Sequence, residues 1–185
     1  TNNRYASYRE AQWLAQEYAI TMLPSVSSLK ALRGSGTNVS SRAPKSFMGF
    51  GDPLLESSIA DNKYIPSSAK LFSRGAVANV KEVRQLPRLP ETDKELRSIA
   101  RTLGAPPGSV YLREEATEKK VKSLDLSQSR ILAFATHGLL SGEMKGLAEP
   151  ALVLTPPEVG TEKDDGLLTA SEVALLKLDA DWVIL

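Results

Sequence analysis

RILAFATHG, residues 130–138, is a nearly unbroken apolar run that ends in a polar, glycine-containing turn. An apolar stretch of this length without alternation suits a strand buried on both faces, as at the centre of a parallel sheet. Outward toward the C-terminus, PALVLT (150–155) reads as another apolar strand. Thr169 with Glu172 at capping-box spacing predicts a helix over Thr169–Lys177, and DWVIL (181–185) is a β-branched apolar strand. Outward toward the N-terminus, Thr117 caps a helix over Glu118–Leu124, Leu126 covers its end, and Ser109–Leu112 is a short strand. Before that, Pro90, Thr92 and Glu95 predict the start of a helix over Glu91–Leu103. Leu96, Ile99, Ala100 and Leu103 form its apolar face, and Gly104 ends it. Phe47–Phe50 is a short strand that Gly51-Asp52-Pro53 ends. This alternation predicts the α/β class: a mostly parallel sheet flanked by helices.

The remainder is less patterned. Tyr5–Glu17 suits a short helix or an arm. Glu17–Val26 reads as a strand stopped by Pro24, and Ser28–Arg33 as a short helix closed by Gly34. Gly34–Lys45, rich in Gly, Ser and Asn, is expected to be a loop. Residues 54–90 are polar, carry prolines at 66, 87 and 90, and read as an irregular insertion within one domain spanning 1–185. There are no internal repeats.

Composition narrows the chemistry. The chain has 185 residues, 42% hydrophobic and 24% charged, enough for one domain with a real core. Its 23 basic and 22 acidic side chains leave a net charge of +1, so no global attraction to nucleic acid or to an anionic membrane is expected. No stretch approaches the ~20 apolar residues that span a bilayer. Thr1–Tyr8 is polar with no apolar segment after it, unlike a signal peptide. A soluble, cytoplasmic protein is the expectation. There is no Cys and one His, His137. Disulfides, thiolate metal sites and a cysteine nucleophile within this chain are thereby excluded, and no cofactor or metal site is expected.

Ligand sites in parallel sheets lie beyond the carboxyl ends of the strands. Thr136-His137-Gly138 falls at such an end. A histidine there is placed to act as a general base near neutral pH. Gly138 has no side chain, so its N–H can approach a substrate oxygen as an oxyanion donor must. The alternative is a structural histidine bonded to a loop. Ser141 lies four residues on, but no G-x-S-x-G elbow accompanies it. Gly34-Ser35-Gly36 lacks the Lys-Ser/Thr of a phosphate loop. Glu114-Glu115 and Asp164-Asp165 are adjacent carboxylates that point opposite ways in extended chain, and the second pair reads as a solvated turn. Trp13 and Trp182 are expected to pack.

ILAFATHG (131–138), EPALVLTP (149–156) and DGLLTASEVALLKLDADWVIL (165–185) resemble the CHAT domain (caspase HetF associated with TPRs). EYAITMLPSVSSL (17–29), FGDP (50–53) and LPRLPETDKELRSIARTLGA (86–105) agree with it. The domain resembles the caspase, separase and clostripain-like cysteine peptidases. The resemblance implies a caspase-like fold and a His–Cys dyad whose histidine is His137, acting as general base and then acid, with the Gly138 N–H at the oxyanion. The family's cysteine follows the next core strand, typically in Ser-Ala-Cys-Asn directly after the apolar run. That run ends here at Leu185, so no nucleophile can be assigned within this chain. The expectation is a fragment incomplete at both ends, inactive alone. Its parent would be a cysteine endopeptidase acting on a protein or peptide substrate, regulated by TPR or other modules. The alternative from another class is a non-catalytic CHAT-like scaffold or interaction domain.

Overall fold

Phe47, Met48 and Phe50 draw their segment into the interior, and the strand they form is longer than the sequence predicts. In the computed structural model it is β1, Lys45–Pro53, with its last seven residues buried. Residues 11–13, 17, 41–56, 77–141 and 147–185 are described. The chain divides into two units, Thr1–Val39 and Ser40–Leu185, and the elements below belong to the second. Most of the expected 17–26 strand, the 28–33 helix and residues 57–76 of the insertion lie outside the described residues.

β1 pairs in parallel with β2 (Val110–Arg113) on one side and β3 (Ser129–Ala135) on the other. A further parallel strand, Trp182–Ile184, lies against β3. With the three short strands introduced below it is β7, and the sheet order is β2-β1-β3-β7. The expected mostly parallel α/β sheet is therefore present. Gly51-Asp52-Pro53 does not end β1 but belongs to it. Gly51 pairs with Leu112 and Ala135, and Pro53 pairs with Arg113 after a register shift. Proline at the last strand position forfeits no interior ladder bond.

The two faces of β1 separate by strict alternation. Met48 and Phe50 join Leu132 and Phe134 of β3 on one face. The Phe50 ring stacks between Tyr111 and Phe134, with centroids 5.0 and 5.3 Å away. On the other face Phe47, Ala133 and Leu96 form the core. Leu96 comes from a helix over Glu91–Thr102. That helix is α2, since α1 is the short helix Val80–Arg84. Gly49 and Gly51 let α2 sit close. A methyl group on Gly49 would lie 2.9 Å from the Phe47 ring and 3.0 Å from the Leu96 side chain, and one on Gly51 would lie 2.6 Å from Leu96.

The N-terminus of α2 differs from the expected capping box. The cap position is Pro90, and no side chain bonds to the helix end there. The Thr92 hydroxyl instead donates to the Leu89 carbonyl at 2.8 Å and accepts the Asp52 N–H at 2.9 Å. A capping residue in the sequence is here a cross-link to the sheet. At the far end Gly104 takes the left-handed conformation (φ +59°), as expected of a helix stop.

The chain leaves β1 through α1 and α2 and returns as β2. It then crosses to the other side of β1 through α3 (Glu118–Ser123) and a 3-10 turn at Leu126–Gln128 to enter β3. Thr117 caps α3 as expected, accepting the Lys120 N–H at 3.0 Å. After β3 the chain forms a small antiparallel sheet of β4 (Gly138–Leu139), β5 (Ala151–Val153) and β6 (Leu167–Thr169). The PALVLT strand is thus three residues long and lies outside the parallel sheet. Helix α4 then covers only Ala170–Val173, where the sequence predicts a helix to Lys177. Glu172 still reaches back, accepting the Thr169 N–H at 3.0 Å and its hydroxyl at 2.9 Å. Trp182, expected to pack, is 67% exposed on β7.

A buried carboxylate fastens the small sheet to α3. Glu118 is 1% exposed and accepts the Asp165 and Gly166 N–H groups at 2.8 and 3.0 Å. Lys122 bonds to Glu118, to Glu172 at 2.6 Å and to the Lys163 carbonyl at 3.0 Å. Asp165 is itself buried, contrary to the solvated turn expected, and accepts from Ala78 at 2.6 Å and Leu167 at 3.0 Å. Burial pushes the Glu118 carboxyl up to about 7, against Lys122 and the Asp165 N–H, which hold it down. Burial opposes the ionisation of Glu172 too, but Lys122 and Thr169 hold that carboxyl below its ordinary value.

Two outcomes are expected. Gly51→Ala destabilises by about 1–3 kcal/mol through overpacking, and its cost shrinks in a Leu96→Ala background, where the clashing methyl is gone. Urea titrations of the two single variants and the double variant measure this, and additive costs would refute the close approach. Glu118 gives a pH effect. Its folded value lies above the ordinary 4.5, so the folded chain keeps a proton that the unfolded chain releases between about 4.5 and 7. This contribution is full below that window and is lost as pH rises through it. Thermal melts from about pH 5 to about pH 8 should show the wild type losing stability relative to Glu118→Gln. Parallel profiles would exclude a protonated Glu118.

Candidate functional site

The carboxyl ends of β1, β2 and β3 meet at one edge, on either side of the point where the connections diverge from β1. In open α/β sheets the crevice forms at such a point. Two residues there have left-handed backbone, Asp52 (φ +40°) and Arg113 (φ +53°). Asp tolerates this region better than most residues do.

Asp52 is 1% exposed yet carries a carboxylate. A buried carboxylate needs a partner. Arg88 supplies one in a two-point clamp, Nε to Oδ1 at 2.8 Å and Nη2 to Oδ2 at 2.7 Å. Arg113 approaches Oδ1 more loosely, at 3.4 Å. The Asp52 bond and charge push the already basic Arg88 guanidinium further up. Arg88 belongs to the segment that enters α2, so the end of the central strand and the start of the covering helix are tied together.

His137 lies two residues past β3, as its position after the apolar run predicts. Its Nε2 is 2.6 Å from the Pro87 carbonyl oxygen. A carbonyl can only accept, so Nε2 carries the proton and Nδ1 of the neutral ring holds the lone pair. The backbone around it is fixed by β5. The His137 carbonyl accepts the Val153 N–H at 2.9 Å, and the Thr136 hydroxyl donates to the Val153 carbonyl. Gly138 is exposed, and a side chain built on it would meet nothing within 4 Å. The edge therefore presents a half-buried imidazole with a defined tautomer beside an accessible glycine.

Thr155 braces this edge. It is buried, its hydroxyl accepts the Leu54 N–H at 2.8 Å and donates to the Arg113 carbonyl, and its own N–H donates to Ala116 at 2.8 Å. The ends of β1 and β2 and the strand after His137 are thus held together.

The other candidates fall elsewhere. The Ser141 hydroxyl donates to the Ala148 carbonyl at 3.0 Å. Glu114 and Glu115 are both exposed. Asp165 belongs to the Glu118 network. Gly34-Ser35-Gly36 lies outside the described residues. Among the described residues no group of three or more His, Cys, Asp or Glu side chains is placed to hold a metal ion, and no helix is long and apolar enough to cross a membrane.

Sequence reasoning did not find Pro87, Arg88 or the role of Asp52. Pro87 acts through a carbonyl that every residue has. For Asp52 a signal existed: it is the one charged residue in the buried part of β1, directly after FG, and a charge in that position needs a counter-charge.

No curated protein and no solved structure matches the chain. A family model, that of the CHAT domain, matches residues 3–185. The match spans the β3-His137 segment, the FGDP end of β1 and the DGLLTASE turn that Glu118 holds, and the chain belongs to the CHAT domain family.

Proposed function

We propose that this chain carries the histidine half of a caspase-like cysteine peptidase site, with His137 as general base and then acid and the Gly138 N–H as an oxyanion donor. The chain contains no Cys, so the thiol is supplied from residues outside it. One observation carries this reading, the register of β7 on β3. Ile131 pairs with Trp182, Leu132 with Val183 and Ala133 with Ile184. Continued at the same offset, the third residue after Leu185 stands level with His137. That is the position at which the family resemblance, with its Ser-Ala-Cys sequence, leads one to expect the cysteine. Neighbouring strands lie about 4.8 Å apart, within reach of a thiol–imidazole contact.

In this reading Nδ1 of His137 takes the thiol proton, and the sulfur forms a bond to the scissile carbonyl carbon. The oxygen gains the negative charge and is held by the Gly138 N–H. As the C–N bond breaks, His137 returns the proton to the leaving amine, and water then hydrolyses the thioester. The Pro87 carbonyl holds the ring in the competent tautomer and stabilises the imidazolium. A protein or peptide substrate, TPR or other sensor modules and a cytoplasmic setting rest on family analogy. The alternative reading is a CHAT scaffold that binds partners without cleaving them, and the residue at the third position after Leu185 separates the two.

The test is sequence plus kinetics. In a full-length protein with cysteine at the third position after Leu185, His137→Ala should lower peptide cleavage about 10²–10⁴-fold. Unchanged cleavage would remove His137 from the mechanism, and another residue at that position leaves the scaffold reading. Gly138→Ala should keep stability within about 0.5 kcal/mol, because its methyl meets open space, while cleavage falls. The 185-residue chain itself should take up no thiol-directed electrophile, as intact mass would show.

A further inference from the structure

Pro87 fixes the His137 ring through a backbone carbonyl, and a carbonyl orients a side chain only as firmly as its own peptide is held. Three anchors hold this peptide. Leu86, immediately before, is 5% exposed and packs in a core cluster with Leu55, Val83 and Val153. Arg88, immediately after, makes the two-point clamp on Asp52. Thr92, four residues later, bonds both the Asp52 N–H and the Leu89 carbonyl. Pro87 adds a locked φ of its own. Leu86 and Thr92 fix the ends of the segment. Thr92 also reaches the central strand by its side chain, but Arg88 is the anchor on the peptide that directly follows Pro87.

We infer that Asp52 and Arg88 are positioning residues for His137: their clamp holds the Pro87 carbonyl against Nε2 and so keeps Nδ1 free as the base. This rests on the reading of His137 as the base and deepens it. The clamp touches no reacting atom. It acts through one hydrogen bond, so its effect is a shift in tautomer population. The geometry accounts for a charged residue inside a buried strand. A carboxylate at the end of β1 costs desolvation, and the two-point Arg88 fork, in a fixed direction, is its closest counter-charge. The fixed direction is what the adjacent carbonyl needs. Lysine in place of Arg88 keeps the charge but not the fork, and so gives a weaker hold.

His137 is the only histidine in the chain, so one imidazole signal reports the effect without substrate or thiol. Nitrogen-15 NMR of histidine-labelled 185-residue chain, at a pH where the ring is neutral, gives the ratio of the Nε2–H to the Nδ1–H form. The wild type should be dominated by Nε2–H. Arg88→Ala should lower the ratio about 3–10-fold, the span of one net hydrogen bond, and Arg88→Lys should fall between the two. Removing Arg88 alone leaves a buried carboxylate with only the looser Arg113 contact at 3.4 Å, so Asp52→Asn combined with Arg88→Ala is the second variant, with the same loss expected. Arg130→Ala, which breaks the Arg130–Asp181 pair (2.8 Å) at the opposite end of β3, is the control and should leave the ratio unchanged. A wild-type ratio retained in Arg88→Ala or in the double variant, with the backbone amide spectrum preserved, overturns the clamp's role. That result leaves the cleavage test of His137→Ala untouched, and unchanged cleavage there leaves the tautomer measurement untouched.

Discussion

Strand β1 is hydrogen-bonded on both edges and covered on both faces, and the remaining elements are arranged around what that position demands. Main-chain groups of such a strand find their partners in its neighbours, and its side chains must be apolar or absent. Phe47, Met48 and Phe50 meet the first demand, and Gly49 and Gly51 the second. The glycines thin the sheet on one side, so α2 approaches through Leu96. The large rings thicken it on the other, where Phe50 lies between Tyr111 and Phe134. Removing the asymmetry would change where α2 sits, and with it the segment that enters α2.

That segment connects fold to chemistry. The single charge in the buried run of β1 is neutralised by an arginine on the approach to α2, and the residue before that arginine supplies the acceptor for His137. The histidine is therefore fixed from two directions. β5 holds its backbone, and the α2 approach holds its ring. The core, the clamp and the imidazole form one chain of contacts from the centre of the sheet to its edge. The small antiparallel sheet has a further anchor in Glu118, which holds the backbone of Asp165 and Gly166.

Parts of this were legible in the residues because they follow from local periodicity. The unalternating RILAFAT run suits a doubly buried strand, and it is one. The apolar face of 91–103 suits a helix packed on the sheet. Position relative to RILAFAT placed His137 at the sheet edge, and the Thr117 cap was read as it stands. What failed did so where tertiary contacts override local chemistry. Gly51-Asp52-Pro53 has the composition of a turn, but the close approach of α2 requires glycine inside the strand. Thr92 has the signature of a cap, but its hydroxyl serves Asp52. Asp165 looks solvated, but it satisfies the Ala78 and Leu167 N–H groups. Pro87 could not be read at all, because its contribution is a carbonyl and depends on where the α2 approach passes the end of β3.

The parallel pairing has a kinetic side. Gly49 of β1 pairs with Val110, Pro53 with Arg113 and Lys45 with Ser129, so both partners of the central strand lie 60 or more residues away along the chain. No two-residue hairpin can nucleate such a sheet, and the intervening chain must be ordered before either ladder gains its bonds. Domains built from pairings of this range fold slowly compared with those built from local contacts. Until β3 is in place, β1 presents an open apolar edge to other chains. The buried central strand of the sheet is therefore also one whose late completion leaves it exposed to aggregation during synthesis.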